Sequence, residues 1–274
     1  MTTNSETTDV STHYQFGKNW ARFARVLTPA HIASAEHELE RLVGAARLAG
    51  VSMLDVGSGS GLHSLAALNL GARCVEAVDF DPDSVKTTTA VLSRHATRGQ
   101  WTARAANVLT DFADAQQRYD LVYSWGVLHH TGAMWQAIGQ AARLVRPGGW
   151  FAIALYNKTP LCGLWRIEKR IFAKLPRFLQ ALLAWATVAA WMLGKLLRLK
   201  NPIAWYRDYQ QLRGMSVYYD VHDWLGGYPY ESVDCATLVS WMRDRGFTLV
   251  YDHNTDASLG LLGGGCGEYL FQRD

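Results

Sequence analysis

Apolar residues recur along this chain in two alternating rhythms. Ile32, Ala35, Leu39, Leu42, Val43 and Ala46 fall at helical spacing, so residues 30–48 are expected to form one amphipathic helix that stops near Gly50. A short apolar run over 51–56 reads as a strand, a glycine-rich turn follows it, and 62–70 reads as a helix stopped by Gly71. Residues 74–78 give a second strand ending in Asp79. Asp81-Pro82 then has the chemistry of an N-cap with a first-turn proline, opening a helix to about His95. Further strands are expected at 101–106, 121–124 and 150–155, with a helix over 134–145 halted by Arg146-Pro147-Gly148-Gly149. After a long interruption, 233–245 reads as a helix closed by Gly246, and 248–251 and 268–271 as two last strands.

Strands that alternate with helices at these intervals imply a parallel sheet covered on both faces. The expected fold class is α/β: a doubly wound, mostly parallel sheet of seven strands with a helical insertion after the fifth. The chain divides into a disordered tail over 1–12, a core with an N-terminal helix over 13–156, an insertion over 157–232, and a return to the core over 233–274. Loops leaving the carboxyl ends of strands frame the ligand crevice of such sheets. The insertion is therefore placed to be a substrate lid.

Composition sets the class more than the chemistry. At 49% hydrophobic and 19% charged, the 274-residue chain can bury a full core, which excludes global disorder. Cys74, Cys162, Cys235 and Cys266 lie far apart without a zinc spacing, and read as reduced thiols of a cytoplasmic protein. The first twelve residues carry no secretory signal pattern. The net charge of +3 hides an uneven distribution. Residues 157–213 hold 11 of the 27 basic residues but only Glu168 and Asp208 of the 24 acidic ones.

Asp55-Val56-Gly57-Ser58-Gly59-Ser60-Gly61 links the first strand to its helix. Glycines here let the backbone turn sharply and bring a ligand close to the positive end of that helix. A dinucleotide pattern needs glycine at position 62, where Leu62 stands. Asp79 ends the second strand, where a carboxylate can take both hydroxyls of a ribose, and Asn107-Val108 ends the third beside the space for an adenine.

Residues 51–155 resemble the class I S-adenosylmethionine (SAM)-dependent methyltransferases, in particular the small-molecule branch of ubiquinone and menaquinone biosynthesis methylases. The resemblance is carried by the glycine loop, Asp79-Phe80-Asp81, Tyr119-Asp120-Leu121-Val122-Tyr123-Ser124, Val127-Leu128-His129-His130 and Arg146-Pro147-Gly148-Gly149. It implies a Rossmann-like methyltransferase fold and SAM as cofactor, with S-adenosylhomocysteine (SAH) as product. It also implies that Gly57 and Gly59 approach the methionine end, that Asp79 binds ribose, that Asn107 and Val108 flank adenine, and that Trp125 lies beside the sulfonium. Asp55, Ser58 and Phe80 complete the candidate cofactor set.

Methyl transfer needs positioning first, and a base only if the nucleophile arrives protonated. Ser124-Trp125-Gly126-Val127 lacks the proline pair of amine methylases acting on nucleic-acid bases, and the metal-binding aspartate of catechol-type enzymes has no counterpart; no metal is expected. His129 is a candidate base, with His130 beside it as a substrate residue, although a Leu-His-His turn also serves structure in this superfamily. Residues 213–231 concentrate tyrosines, Trp224, His222, Asp223 and Glu231 in what reads as one glycine-containing loop. His222 and Asp223 are a candidate base dyad, and Tyr156, Tyr218, Tyr219, Tyr228 and Glu231 are candidate acceptor contacts. The alternative is that these aromatics fill the gap beneath the lid. The stretch 206–231 also resembles an uncharacterised group of bacterial methylases, which brings no substrate with it. Residues 263–268 read as a second glycine loop from which Glu268 can reach the pocket, or as a plain turn.

Three readings of the insertion stay open. Its uncharged run over 178–194, bracketed by Arg177 and Lys195, can be a lid helix with a basic outer face. It can also dock on an anionic membrane or receive a long apolar acceptor. Nucleic acid is disfavoured, since no RNA-binding module accompanies the charge. The function expected is transfer of methyl from SAM to an O, N or S nucleophile of a small acceptor, apolar or anionic, by a cytoplasmic or membrane-associated enzyme. The alternatives are an RNA methyltransferase and a SAM-binding module without turnover.

Overall fold

The structure is a computed structural model that describes residues 17–213, 217–254 and 265–274. The tail expected over 1–12, residues 214–216 and the glycines of 263–264 lie outside the described residues. The chain opens with helix α1 (Gly17–Arg25) and α2 (Pro29–Val43). Thr28 caps α2 by accepting from the His31 backbone N–H, and the His31 side chain accepts in return from Thr28 N–H. The single helix expected over 30–48 is in fact broken at Gly44, whose φ is 90°, before a short α3 (Ala45–Leu48).

The core then alternates as β1 (Ser52–Val56), α4 (Leu62–Asn69), β2 (Cys74–Asp79), α5 (Pro82–His95), β3 (Gln100–Ala105), β4 (Tyr119–Trp125), a 3-10 turn (Leu128–His130), α6 (Met134–Arg143) and β5 (Val145–Tyr156). Asp81 caps α5 as its position before Pro82 predicts. The insertion supplies α7 (Cys162–Lys174), α8 (Arg177–Leu197), α9 (Pro202–Arg213) and α10 (Val217–Gly226), and the chain ends in α11 (Cys235–Arg243), β6 (Phe247–Asn254) and β7 (Cys266–Arg273). The sheet order is β3-β2-β1-β4-β5-β7-β6. The first five strands are parallel, and β7 runs antiparallel between β5 and β6.

Alternation along each strand explains why helices cover both faces. Leu54 and Val122 face one side with Ile138, Leu238 and Met242 of α6 and α11. Met53 and Leu121 face the other, with Leu39, Leu65 and Leu68 of α2 and α4. A third cluster belongs to the insertion: Phe172, Ala184, Val188, Tyr209, Val221 and Leu225.

Two expectations need correction. Arg146-Pro147-Gly148-Gly149 does not separate α6 from β5 but opens β5, with Arg146 paired to Asp120 across β4 and the register shifting between Tyr119 and Leu121. The stretch read as a glycine loop over 213–231 contains a helix, α10. Val217, Val221 and Leu225 recur there at four-residue spacing and bury against the neighbouring insertion helices.

Candidate active site

The glycine loop sits at the carboxyl end of β1 because three of its glycines take positive φ: 83° at Gly57, 55° at Gly59 and 77° at Gly61. A side chain at Gly57 would meet Val127 Cγ2 at 2.4 Å, so that position is glycine by space as well as by conformation. The Gly59 N–H donates to Asp79 Oδ2 and the Asp81 N–H to Asp79 Oδ1, both at 2.9 Å. This carboxylate is thus held at the tip of β2, facing the loop. Burial pushes its pKa up to about 6, against the pull of those two backbone donors.

The other cofactor candidates divide. Phe80 is 46% exposed and Trp125 37% exposed, both large aromatic faces at carboxyl ends of strands. The Trp125 indole donates to Glu268 at 2.9 Å, and Glu268 also binds Arg41 at 2.5 Å. Glu268 therefore anchors Trp125 rather than standing free. Asn107 turns its side-chain oxygen to the Leu109 N–H at 2.9 Å, and the Val108 side chain joins the core, leaving its backbone at the edge. Asp55 and Ser58 point inward. Asp55 accepts from Ser64 Oγ at 2.6 Å, with burial raising its pKa, and Ser58 Oγ lies 3.0 Å from Thr88 Oγ1. They shape the loop from behind.

Helix α1 closes this end of the crevice, which the sequence did not suggest. The Gly17 N–H donates to Asp81 Oδ2 at 2.9 Å, and the Trp20 ring is so near Gly59 that an added Cβ would lie 3.0 Å from it. Asn19 reaches the insertion, donating to Asp223 Oδ1 at 2.8 Å and to the Tyr219 carbonyl at 3.4 Å.

Beyond Trp125 the acceptor candidates form an aromatic cluster. His129 is wholly buried, and neither ring nitrogen has a hydrogen-bond partner among the described residues. Its ring lies 4.0 Å from that of Tyr156 and 4.3 Å from His130. Burial first, then the charges of His130 and Lys169, hold its pKa well below the usual imidazole value. Neutral imidazole is the form a base requires. His130 Nδ1 lies 2.8 Å from the Pro229 carbonyl, next to buried Tyr228. Glu231 accepts from the Met134 N–H at 2.9 Å. It supplies the N-terminal partner that α6 otherwise lacks.

His222 and Asp223 are consecutive on α10, so their side chains diverge by about 100°. His222 packs against Phe172 and Tyr218 at 5.5 and 5.7 Å between ring centroids, while Asp223 turns to Asn19. Tyr218 meets Trp185 of α8 at 5.0 Å and Tyr219 at 5.6 Å. Burial raises the Asp223 pKa well above the usual carboxylate range. The structure thus gathers His129, His130 and Tyr156 with Tyr230 in one place and sets His222, Tyr218 and Tyr219 among the insertion helices.

Lys169 was not legible as a site residue. It stands on α7 with no exposed side-chain surface, bonded to the Trp224 carbonyl, 4.1 Å over the Trp224 ring and 3.7 Å from Glu168. Burial brings its pKa down to about 8. In the sequence it is one base among eleven. Among the described residues no group of three or more His, Cys, Asp or Glu is placed to hold a metal ion.

This arrangement of glycine loop, acid at the tip of β2, and antiparallel last strand defines a class. A family described as "Methyltransferase domain" matches residues 28–252, and the chain belongs to that family. A ubiquinone biosynthesis O-methyltransferase of Methylobacterium sp. (strain 4-46) is 31% identical over 128 residues, 46% of this chain and 49% of that protein. A tRNA U34 carboxymethyltransferase of Methylococcus capsulatus is 34% identical over 111 residues, 40% of this chain and 33% of that one. The chain thus spans a third to a half of the length of these curated relatives. Among solved structures, magnesium protoporphyrin IX methyltransferase from Synechocystis PCC 6803 with bound SAH superposes with a TM-score of 0.54. The match is at 16% identity over 92% of this chain and 86% of that one, and it shares the fold.

Proposed function

We propose that the protein transfers a methyl group from SAM to an O, N or S nucleophile of a small acceptor. The observation that carries this is the half-buried Asp79 carboxylate, fixed by Gly59 and Asp81 at the mouth of a loop whose Gly57 has no room for a side chain. Each Asp79 oxygen keeps a lone pair for a ribose hydroxyl, and the loop lies at the N-terminus of α4, whose dipole suits a carboxylate. When bound, SAM supplies an activated methyl for in-line displacement. The protein's own part is alignment and exclusion of water, for which effective molarity provides ~7–11 kcal/mol. His129, neutral and enclosed, supports proton removal from an acceptor that arrives protonated.

Incubation with methyl-labelled SAM and fractionated cell extract tests this reading. Label is expected in soluble or lipid-extractable metabolites. Label confined to RNA would overturn the choice of acceptor, and none in any fraction would favour a binding module.

A second property is favoured by α8. It has 21 residues, with an 18-residue window of mean hydropathy 1.3, by length and composition enough to cross a membrane, and only 11% of that window is buried. Phe178, Leu182, Trp185, Leu193 and Leu197 are exposed, with Arg177 at one end and Lys195, Arg198 and Lys200 at the other. A helix with this pairing of apolar face and basic flanks lies in an anionic lipid interface. We place the protein at such a surface, cytoplasmic and peripherally attached. Flotation with phosphatidylglycerol vesicles is expected to carry the protein upward, and phosphatidylcholine alone is expected to carry much less. Equal behaviour with both would overturn attachment by charge.

A further inference from the structure

Trp125, Ala154 and Glu268 stand in one row across β4, β5 and β7, because the register pairs Trp125 with Ala154 and Ala154 with Glu268. The row lies on the face covered by α2 and α4. Leu121 and Tyr123, four and two residues before Trp125, pack there, as do Ala152 and Leu270. Adjacent strands are about 4.8 Å apart, which sets Trp125 and Glu268 roughly 10 Å from each other at the backbone. Ala154, fully buried between them, brings only a methyl. The indole reaches across it and donates its N–H to Glu268 Oε1 at 2.9 Å. The second carboxylate oxygen accepts from Arg41 of α2 at 2.5 Å, and Arg41 also donates to the Tyr251 hydroxyl of β6 at 3.2 Å.

Glu268 is only 7% exposed, and a buried carboxylate is costly unless it is paired and hydrogen-bonded. Here that carboxylate fastens a ring that is left open. A tryptophan kept for packing buries its body, whereas the Trp125 nitrogen is tied down and 37% of the residue stays exposed. The ring stands beside the glycine loop. Asp55 of β1 is level with Tyr123, and Ser124 Oγ donates to the Val56 carbonyl at 2.9 Å. One step further, Trp125 is level with Gly57, where the loop begins. Val127, two residues on, already occupies the space over Gly57. On the other side His63 of α4 lies along the indole, with 6.3 Å between centroids and 30° between planes.

The face of an indole attracts cations more strongly than any other side-chain ring. A charge-assisted hydrogen bond from its N–H to a carboxylate adds electron density to that face. Resting on the methyltransferase reading above, we infer that Glu268, backed by Arg41, is a positioning residue that holds the Trp125 ring against the sulfonium of SAM. The ion pair with Arg41 neutralises the carboxylate, which therefore orients the ring rather than competing for the cation. In methyl transfer the S–CH3 bond breaks, its electron pair stays on sulfur, and the methyl carbon bonds to the acceptor's nucleophile. The sulfonium becomes the neutral thioether of SAH, and the attraction to the ring ends with it. The clamp thus lets the crevice prefer the methyl donor over the spent product.

The test is calorimetric titration of the full chain with SAM and with SAH, read as the ratio of the two affinities. A loosened crevice weakens both ligands alike, whereas loss of the ring–sulfonium contact weakens SAM alone. Trp125→Leu is expected to lower the SAM-to-SAH affinity ratio by about three- to tenfold, the range of a partly desolvated cation–π contact. Trp125→Phe, which keeps a ring, is expected to retain part of it. Glu268→Ala is expected to lower the ratio by about twofold or more, and to leave it unchanged when added to Trp125→Leu, because it acts through the ring. If Glu268→Ala does not fold, as judged by its melting curve, Glu268→Gln takes its place with the same two expectations. It keeps an acceptor oxygen and loses the charge. An unchanged ratio in Trp125→Leu, an unchanged ratio in the Glu268 variant, or a further fall when both are changed would each overturn the inference. Wild-type protein that binds both ligands while Trp125→Leu keeps the ratio removes this inference alone. Wild-type protein that binds neither ligand removes the methyltransferase reading beneath it.

Discussion

Asp79 is where single-residue chemistry bears most directly on activity. Its pKa is raised from 3.8 to about 6 by burial, so between those values the folded chain holds a proton that the unfolded chain has released. This favours folding at low pH, and the advantage is lost as pH rises through about 6. Above that, the carboxylate is ionised and ready to accept ribose hydroxyls. SAM affinity is therefore expected to fall as pH drops from 7 to 5, and calorimetry across that range checks it. Asp79→Asn should flatten the profile and weaken binding by about tenfold or more, since a hydrogen bond to a charged group contributes about 1.5–3 kcal/mol. Gly57→Ala, with Val127 at 2.4 Å from the new Cβ and φ at 83°, is expected to cost about 1–3 kcal/mol of stability, read as a lowered Tm. Lys169→Met should also lower the Tm, because it leaves the Glu168 carboxylate without its cation and the Trp224 carbonyl without its donor; removing one partner of a buried pair costs about 3–5 kcal/mol. Asp79 and Gly57 were legible in the sequence because backbone geometry dictates their types at that spacing. Lys169 and Trp20 were not, because their roles depend on helices that meet only in three dimensions.

Among the elements, strands and sheet helices were readable to within a few residues, because their apolar positions keep a strict period. The misreadings arose where periodicity competes with punctuation. Pro147 and Gly148 signal a break, yet pairing with β4 draws them into β5. In α10, Gly226 and the polar aromatics hide an apolar stripe of Val217, Val221 and Leu225. The antiparallel position of β7 between β5 and β6 leaves no local trace, since strand order is a property of the whole sheet. The insertion's separate cluster has a measurable consequence. Leu225→Ala is expected to cost about 2–5 kcal/mol locally. Hydrogen exchange should quicken in α7, α8 and α10, while amides of β1 and β4 keep their protection. Equal loss across the sheet would mean that the two cores fold as one unit.

For the molecule as a whole, the uneven charge seen in the sequence is also uneven in space. The basic excess lies on the helices that carry the exposed apolar surface, and the rest of the chain keeps the acidic remainder. Attachment to phosphatidylglycerol vesicles should accordingly weaken as salt rises from about 0.05 to 0.5 M, as the screening length shortens. Attachment that persists at high salt would indicate that burial of Phe178, Trp185 and their neighbours dominates over charge.

Helix α1 is nine residues long, yet it touches both halves of the reaction. Trp20 rests on the glycine loop, Gly17 holds Asp81, and Asn19 holds Asp223 of the insertion. Any opening wide enough to release spent nucleoside through this side must also loosen the grip on α10, and with it the wall around the acceptor. A single short helix at the rim thus ties the nucleotide end of the crevice to the wall of the insertion.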